Sequence, residues 1–175
     1  MTPFQTALRY GGYTGLVLIV LGLILYVAGV IDYSDLDGPQ KYIQWVNYAI
    51  ILGGIIMAMK FFKSENEGVM AYGQGVGLGT LTALVVGVIT FVWMMVFFNL
   101  IDPGAIDQIR TAAMDKAMEK NNLTEEQMEA ASGMMNMFTS PIGMGVMAVI
   151  FTTIMGLIMS LIASAFLKSD ASAAA

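Results

Sequence analysis

Apolar residues fall in four long blocks separated by short polar turns and one long mixed stretch. The blocks predict membrane-spanning helices over residues 14–31, 42–62, 74–100 and 141–167. A rise of about 1.5 Å per residue lets each cross a hydrocarbon core of about 30 Å. Arg9 ahead of the first block and Ala28-Gly29-Val30 near its end also resemble a signal peptide. The block exceeds the usual signal core of about 7 to 15 residues, so it reads as an uncleaved anchor. Asp32, Asp35, Asp37, Gly38 and Pro39 then form a polar turn,. Asp35-Leu36-Asp37-Gly38 looks like part of a calcium loop, but Tyr33 and Gln44 stand where an EF-hand needs acids, so a solvated turn is expected,. The second block opens on the interfacial aromatics Tyr42, Trp45 and Tyr48 and stops at Lys60 and Lys63,.

Between the third and fourth blocks, residues 102–140 alternate apolar and polar positions with helical spacing. Asp102 followed by Pro103 predicts a capped helix start. Ile106, Ile109, Ala113 and Ala117 share one face of that helix, and Asn121-Asn122 breaks it,. Thr124 to Gln127 fits a capping box for a second helix carrying Met128, Ala131 and Met135, with Glu125, Glu126 and Glu129 at its acidic start,. The expected fold is an all-α integral membrane protein, a single four-helix membrane domain over 1–175. An extramembrane helical hairpin links its third and fourth spans, and residues from Ser169 onward form a frayed tail.

Small residues recur every four positions in two spans. Gly75, Gly79, Ala83 and Gly87 line one face of the third; Ala148, Thr152, Gly156, Ser160 and Ser164 line one face of the fourth. Such strips let membrane helices approach closely, and the two are predicted to pack against each other. The glycine-rich opening of the third span has neither a G-x-G-x-x-G pattern nor a P-loop lysine, so it is not a nucleotide loop.

The chain is 57% hydrophobic and 12% charged, about half the charge of an average soluble domain,. It has no cysteine and no histidine, which excludes disulfides, thiolate metal sites and histidine acid–base chemistry,. A formal net charge of -5 makes nucleic acid an unsuitable partner,. No Asp, Glu, Lys or Arg stands in the middle of any block, against a transporter that works by carboxylate protonation,. Asn47, Gln74, Thr80 and Asn99 are the membrane polar residues that could line a path, although interhelical hydrogen bonding is the plainer role. The 16 methionines include Met128, Met134, Met135, Met137, Met144 and Met147 near one face. Thioethers can hold Cu(I), but methionine is also a flexible filler of apolar gaps, and no metal or cofactor is expected.

Four spans place both termini on one side with Arg9, Lys60, Lys63 and Lys168, and put Lys41, Arg110, Lys116 and Lys120 on the other. Three of the second group lie in the long hairpin, so positive charge near membrane ends favours cytoplasmic termini and a periplasmic hairpin over 102–140.

Arg9-Tyr10-Gly11, Tyr72-Gly73-Gln74-Gly75, Ile101-Asp102-Pro103, Thr124 to Met128 and Ser140-Pro141, in that order and spacing, resemble the family called domain of unknown function 4199 over nearly the whole chain. The resemblance implies a four-helix bacterial inner-membrane protein, mostly from Bacteroidota, with no established activity and no catalytic residues to carry over. Similar proteins are encoded near polyprenol-dependent glycosyltransferases, which implies a partner in envelope glycan synthesis. The expected function is a non-enzymatic scaffold or accessory subunit in contact with membrane lipids, packing through its small-residue faces as a homo-oligomer or against another membrane protein. A small transporter, channel or lipid-handling protein is the alternative, and methionine-held copper the third.

Overall fold

The computed structural model describes residues 1–35, 38, 40–121, 127, 133–134 and 136–169. Among the described residues, the helices with defined bounds are, in order, α1 Pro3–Val27, α2 Gln40–Glu65, α3 Tyr72–Val96, α4 Ala105–Asn121 and α5 Pro141–Leu167. α3 runs directly into a π-helical turn, Phe97–Ile101. Four helices, α1, α2, α3 with its π turn, and α5, are long and apolar enough to cross a membrane. The protein is an all-α, multi-pass membrane protein.

Caps set the helix ends. The Thr2 hydroxyl accepts from the Gln5 amide at 3.2 Å, and the Gln5 side chain accepts from the Thr2 amide at 3.1 Å. This capping box starts α1 at Pro3, ahead of the expected residue 14, so the polar lead-in is the first turns of the span,. α1 also stops earlier than residue 31, because Gly29 turns into the left-handed region at φ +69°,. α5 keeps the expected bounds 141–167: Ser140 accepts from the Gly143 amide at 3.0 Å and Pro141 takes the first helical position,. α4 begins at Ala105 rather than Pro103, with the Asp102 carboxylate accepting the Ala105 amide at 3.1 Å. Leu36, Asp37 and Pro39 of the first turn, most of the capping box and acids over 124–129, Met128, Ala131, Met135 and the tail beyond Ser169 lie outside the described residues.

The Met1 ammonium approaches Glu65 at 3.8 Å, and the Lys63 ammonium donates to the Leu167 carbonyl at 3.0 Å. Met70 and Ser169 form an antiparallel bridge that pins the start of the expected tail. These contacts gather the N-terminus, Ser169 and the α2–α3 connection at one end of the bundle. At the other end the Tyr26 hydroxyl donates to Asp102 at 3.0 Å.

α3 is the central helix, in contact with α1, α2 and most extensively α5. The two small strips meet along the α3–α5 seam. A Cβ on Gly75 would lie 2.6 Å from the Ser164 hydroxyl, and one on Gly79 would collide with Ser160. One on Gly156 would collide with Ala83, and one on Gly87 would lie 3.6 Å from Thr152 and 3.1 Å from the Val149 backbone. The pairs step four residues up one helix as they step four down the other, which is the register of antiparallel partners. The next step of this register would pair Phe91 with Ala148; the Phe91 ring packs against Gly145, and Ala148 lines the cleft described below. On the other side of α3, Gly11 and Gly15 of α1 seat Val85 and Ile89, while Gly54 of α2 seats Thr14.

Candidate functional site

The helices part above this seam. Along α2, Gly54, Ile55, Ala58, Met59 and Phe62 are buried in the end that holds the termini. Towards the other end the same helix carries the polar or aromatic Tyr48, Asn47 and Gln44, which are only partly buried or exposed. The result is a cleft of about 890 Å³ in one half of the bundle. Leu18, Ile19 and Gly22 of α1 form one wall, and Gln44, Asn47, Tyr48 and Ile51 of α2 form another. Val86, Thr90, Trp93 and Met94 of α3 make the floor; Met144, Met147, Ala148, Phe151 and Thr152 of α5, with Phe138, complete it. Exposed Gln44, Phe138 and Phe151 stand at the rim. Among the described residues, no charged side chain lines the cleft.

Hydrogen bonding separates the cleft from the rest of the membrane interior. Thr14, Thr80, Thr82, Thr153 and Ser160 each donate to the carbonyl four residues back in their own helix, at 2.5 to 2.8 Å. That bond is always within reach of a helical hydroxyl, so it is the default in an apolar surrounding. The polar cleft side chains differ: among the described residues Gln44, Asn47, Tyr48, Thr90 and Thr152 make no side-chain hydrogen bond. An unmade bond away from water costs about 1–3 kcal/mol. These groups mark the cleft as the place where a ligand would find unspent donors.

The expected polar path is not continuous. Asn47 lines the cleft, but Gln74 is exposed at the opposite end, where its side chain accepts the Ala71 amide at 3.0 Å and caps α3. Thr80 spends its hydroxyl on Val76 at 2.8 Å, and Asn99 donates to Met95 at 2.8 Å from an exposed position on the π turn. Thr152, assigned to a packing strip, both touches the Gly87 side of the seam and lines the cleft. Sequence reasoning overlooked Gln44, Tyr48 and Trp93 as site residues, although Gln44, Asn47, Tyr48 and Ile51 recur at the spacing of one helix face,. Met144 and Met147 line the cleft, whereas Met134 and Met137 are exposed.

A second apolar cluster closes the outer end. Phe97, Phe98, Ala105 and Ile106 are buried there against Tyr26, Tyr33, Trp93 and Met144. Trp93 and Met144 thus belong to both the cluster and the cleft. Burial pushes the Tyr33 phenol up to about 12, with Tyr26 and Asp102 adding to the rise, so its hydroxyl stays un-ionised at ordinary pH,. Beside it Asp32 accepts from the Ser34 hydroxyl at 2.6 Å and amide at 2.9 Å, which holds its carboxyl below the usual range. Its carboxylate is already used in forming the turn.

The family described as protein of unknown function (DUF4199) matches residues 9–169. The chain belongs to this family. The DUF4199 match starts inside α1 and ends at the Met70–Ser169 bridge, so it takes in the seam, the cleft and the outer cluster. No curated protein and no solved structure matches the chain.

Proposed function

We propose that this DUF4199 protein is a non-catalytic accessory protein of the bacterial inner membrane that handles lipid, holding one lipid molecule in the cleft. Its termini face the cytoplasm and its α4 side the periplasm. The observation that carries this reading is the set of side chains in the cleft whose hydrogen bonds are unmade, set among membrane hydroxyls whose bonds are made. A volume of about 890 Å³ falls in the range of small-molecule sites,. The cleft stops at the α3–α5 seam, which favours holding a lipid over conducting a solute. The two small-residue strips are consumed within one chain, so they support internal packing rather than assembly with a partner.

Gly22 lines the cleft, and a Cβ built there meets nothing within 4 Å. Gly22→Phe is therefore expected to fill the cleft without disturbing the bundle. By native mass spectrometry after release from mild detergent, wild type should retain a lipid adduct and Gly22→Phe should lose most of it, with melting temperature unchanged. Equal adducts in both proteins, or none in either, would refute the proposal.

A further inference from the structure

We infer that the ligand is an isoprenoid quinone, its carbonyl-bearing ring lodged near mid-membrane between α2, α3 and α5. The inference rests on the cleft being a lipid site and adds the chemistry of what fills it.

Three observations converge on a neutral ring with acceptor oxygens. The first is charge: among the described residues no Lys, Arg, Asp or Glu lines the cleft, so a phosphate or an ammonium finds no counter-charge there,. The buried part of the ligand is uncharged. The second is depth. Thr152 stands eleven residues into α5, and Thr90 eleven residues before the end of the π turn. At about 1.5 Å per residue both lie about 16 Å from the outer helix ends, near the centre of a core of about 30 Å. The ester carbonyls of a bulk phospholipid sit at the interface, too shallow to meet these hydroxyls. The donors at this depth call for an acceptor carried on a body apolar enough to be buried there, and a quinone carbonyl is such an acceptor. The third is shape. Tyr48 and Trp93 contribute aromatic faces and edges to the inner lining, which suit a flat ring better than an acyl chain,. Asn47, higher on the α2 wall, can donate to the second carbonyl, and the isoprenoid tail fills the remaining apolar volume towards the rim.

Trp93 lines the cleft, and the other tryptophan, Trp45, is 72% exposed. Trp45→Phe therefore leaves one reporter inside the site. Titrating this variant in detergent with a naphthoquinone carrying two isoprene units should quench Trp93 emission to saturation. Adding Asn47→Leu and Thr152→Val should weaken the apparent affinity about tenfold without moving the melting temperature. If Asn47→Leu lowers that temperature, Thr152→Val alone should still weaken binding about threefold. Quenching that rises without saturating, or an affinity unchanged by these substitutions, would overturn the quinone assignment. A wild-type protein that retains a phospholipid adduct while quinone fails to saturate would overturn the assignment alone and leave the lipid cleft standing.

Discussion

Gly79→Leu is expected to lower the stability of the bundle by about 3 kcal/mol or more, the upper end of the cost of overpacking a core. Gly79 sits where α2, α3 and α5 converge. A Cβ there would collide with Ser160 and lie 2.7 Å from the Met59 methyl and 2.9 Å from Ile55. The collision cannot be relieved by a simple shift of α3, because Gly11 and Gly15 of α1 hold Val85 and Ile89 on its opposite side. Membrane helices associate mainly through such van der Waals fit, so spreading the seam forfeits contacts along its length. Gly53→Leu, on α2, is the control: a Cβ there meets nothing within 4 Å. Denaturation in mild detergent followed by circular dichroism should show a large loss for Gly79→Leu and little for Gly53→Leu. Matching curves for the two variants would refute the role given to the seam.

Asp102→Ala is expected to cost about 2–4 kcal/mol, confined to the outer end of the bundle. One carboxylate joins two elements there: it accepts the Tyr26 hydroxyl at 3.0 Å and the Ala105 amide at 3.1 Å. The first bond ties α1 to the π turn, and the second strengthens the start of α4, where the Ala105 amide otherwise has only the Asp102 carbonyl at 3.3 Å,. Losing both should raise hydrogen exchange through the first turns of α4 while amides beside Gly79 and Ser160 stay protected. Asp102→Asn, which keeps an acceptor oxygen in place, should recover most of the protection. A uniform rise across the bundle, or no rise in α4, would contradict this division between a seam and an outer cluster.

The spans were legible in the sequence because a helix in lipid must satisfy its own backbone and present apolar side chains for its whole length. The α5 limits follow the edges of its apolar block, and at its start the Ser140 cap and Pro141 coincide with that edge. The α1 start was missed because the Thr2–Gln5 capping box precedes the apolar block rather than interrupting it. The small strips were visible as a four-residue period, and Gly11 with Gly15 carries the same period in α1 without having been read. The cleft is of another kind. It arises between α2 and α5, which meet at Met59 and Ser164 and leave a cleft beside Tyr48 and Asn47, and no single helix carries that separation in its pattern. Thr80, Thr90 and Thr152 look alike in the sequence. Only the assembled bundle shows Thr80 bonded within its helix and the other two facing unfilled space.

The most direct test of the cleft as a lipid site is a structure of the full chain in a lipid nanodisc. Elongated density between α2 and α5, reaching Asn47 and Thr152 with α2 held apart from α5 above Ile51, is the predicted result. A first half of α2 closed onto α5, with Asn47, Thr90 and Thr152 bonded to protein groups and no density between the helices, would contradict it.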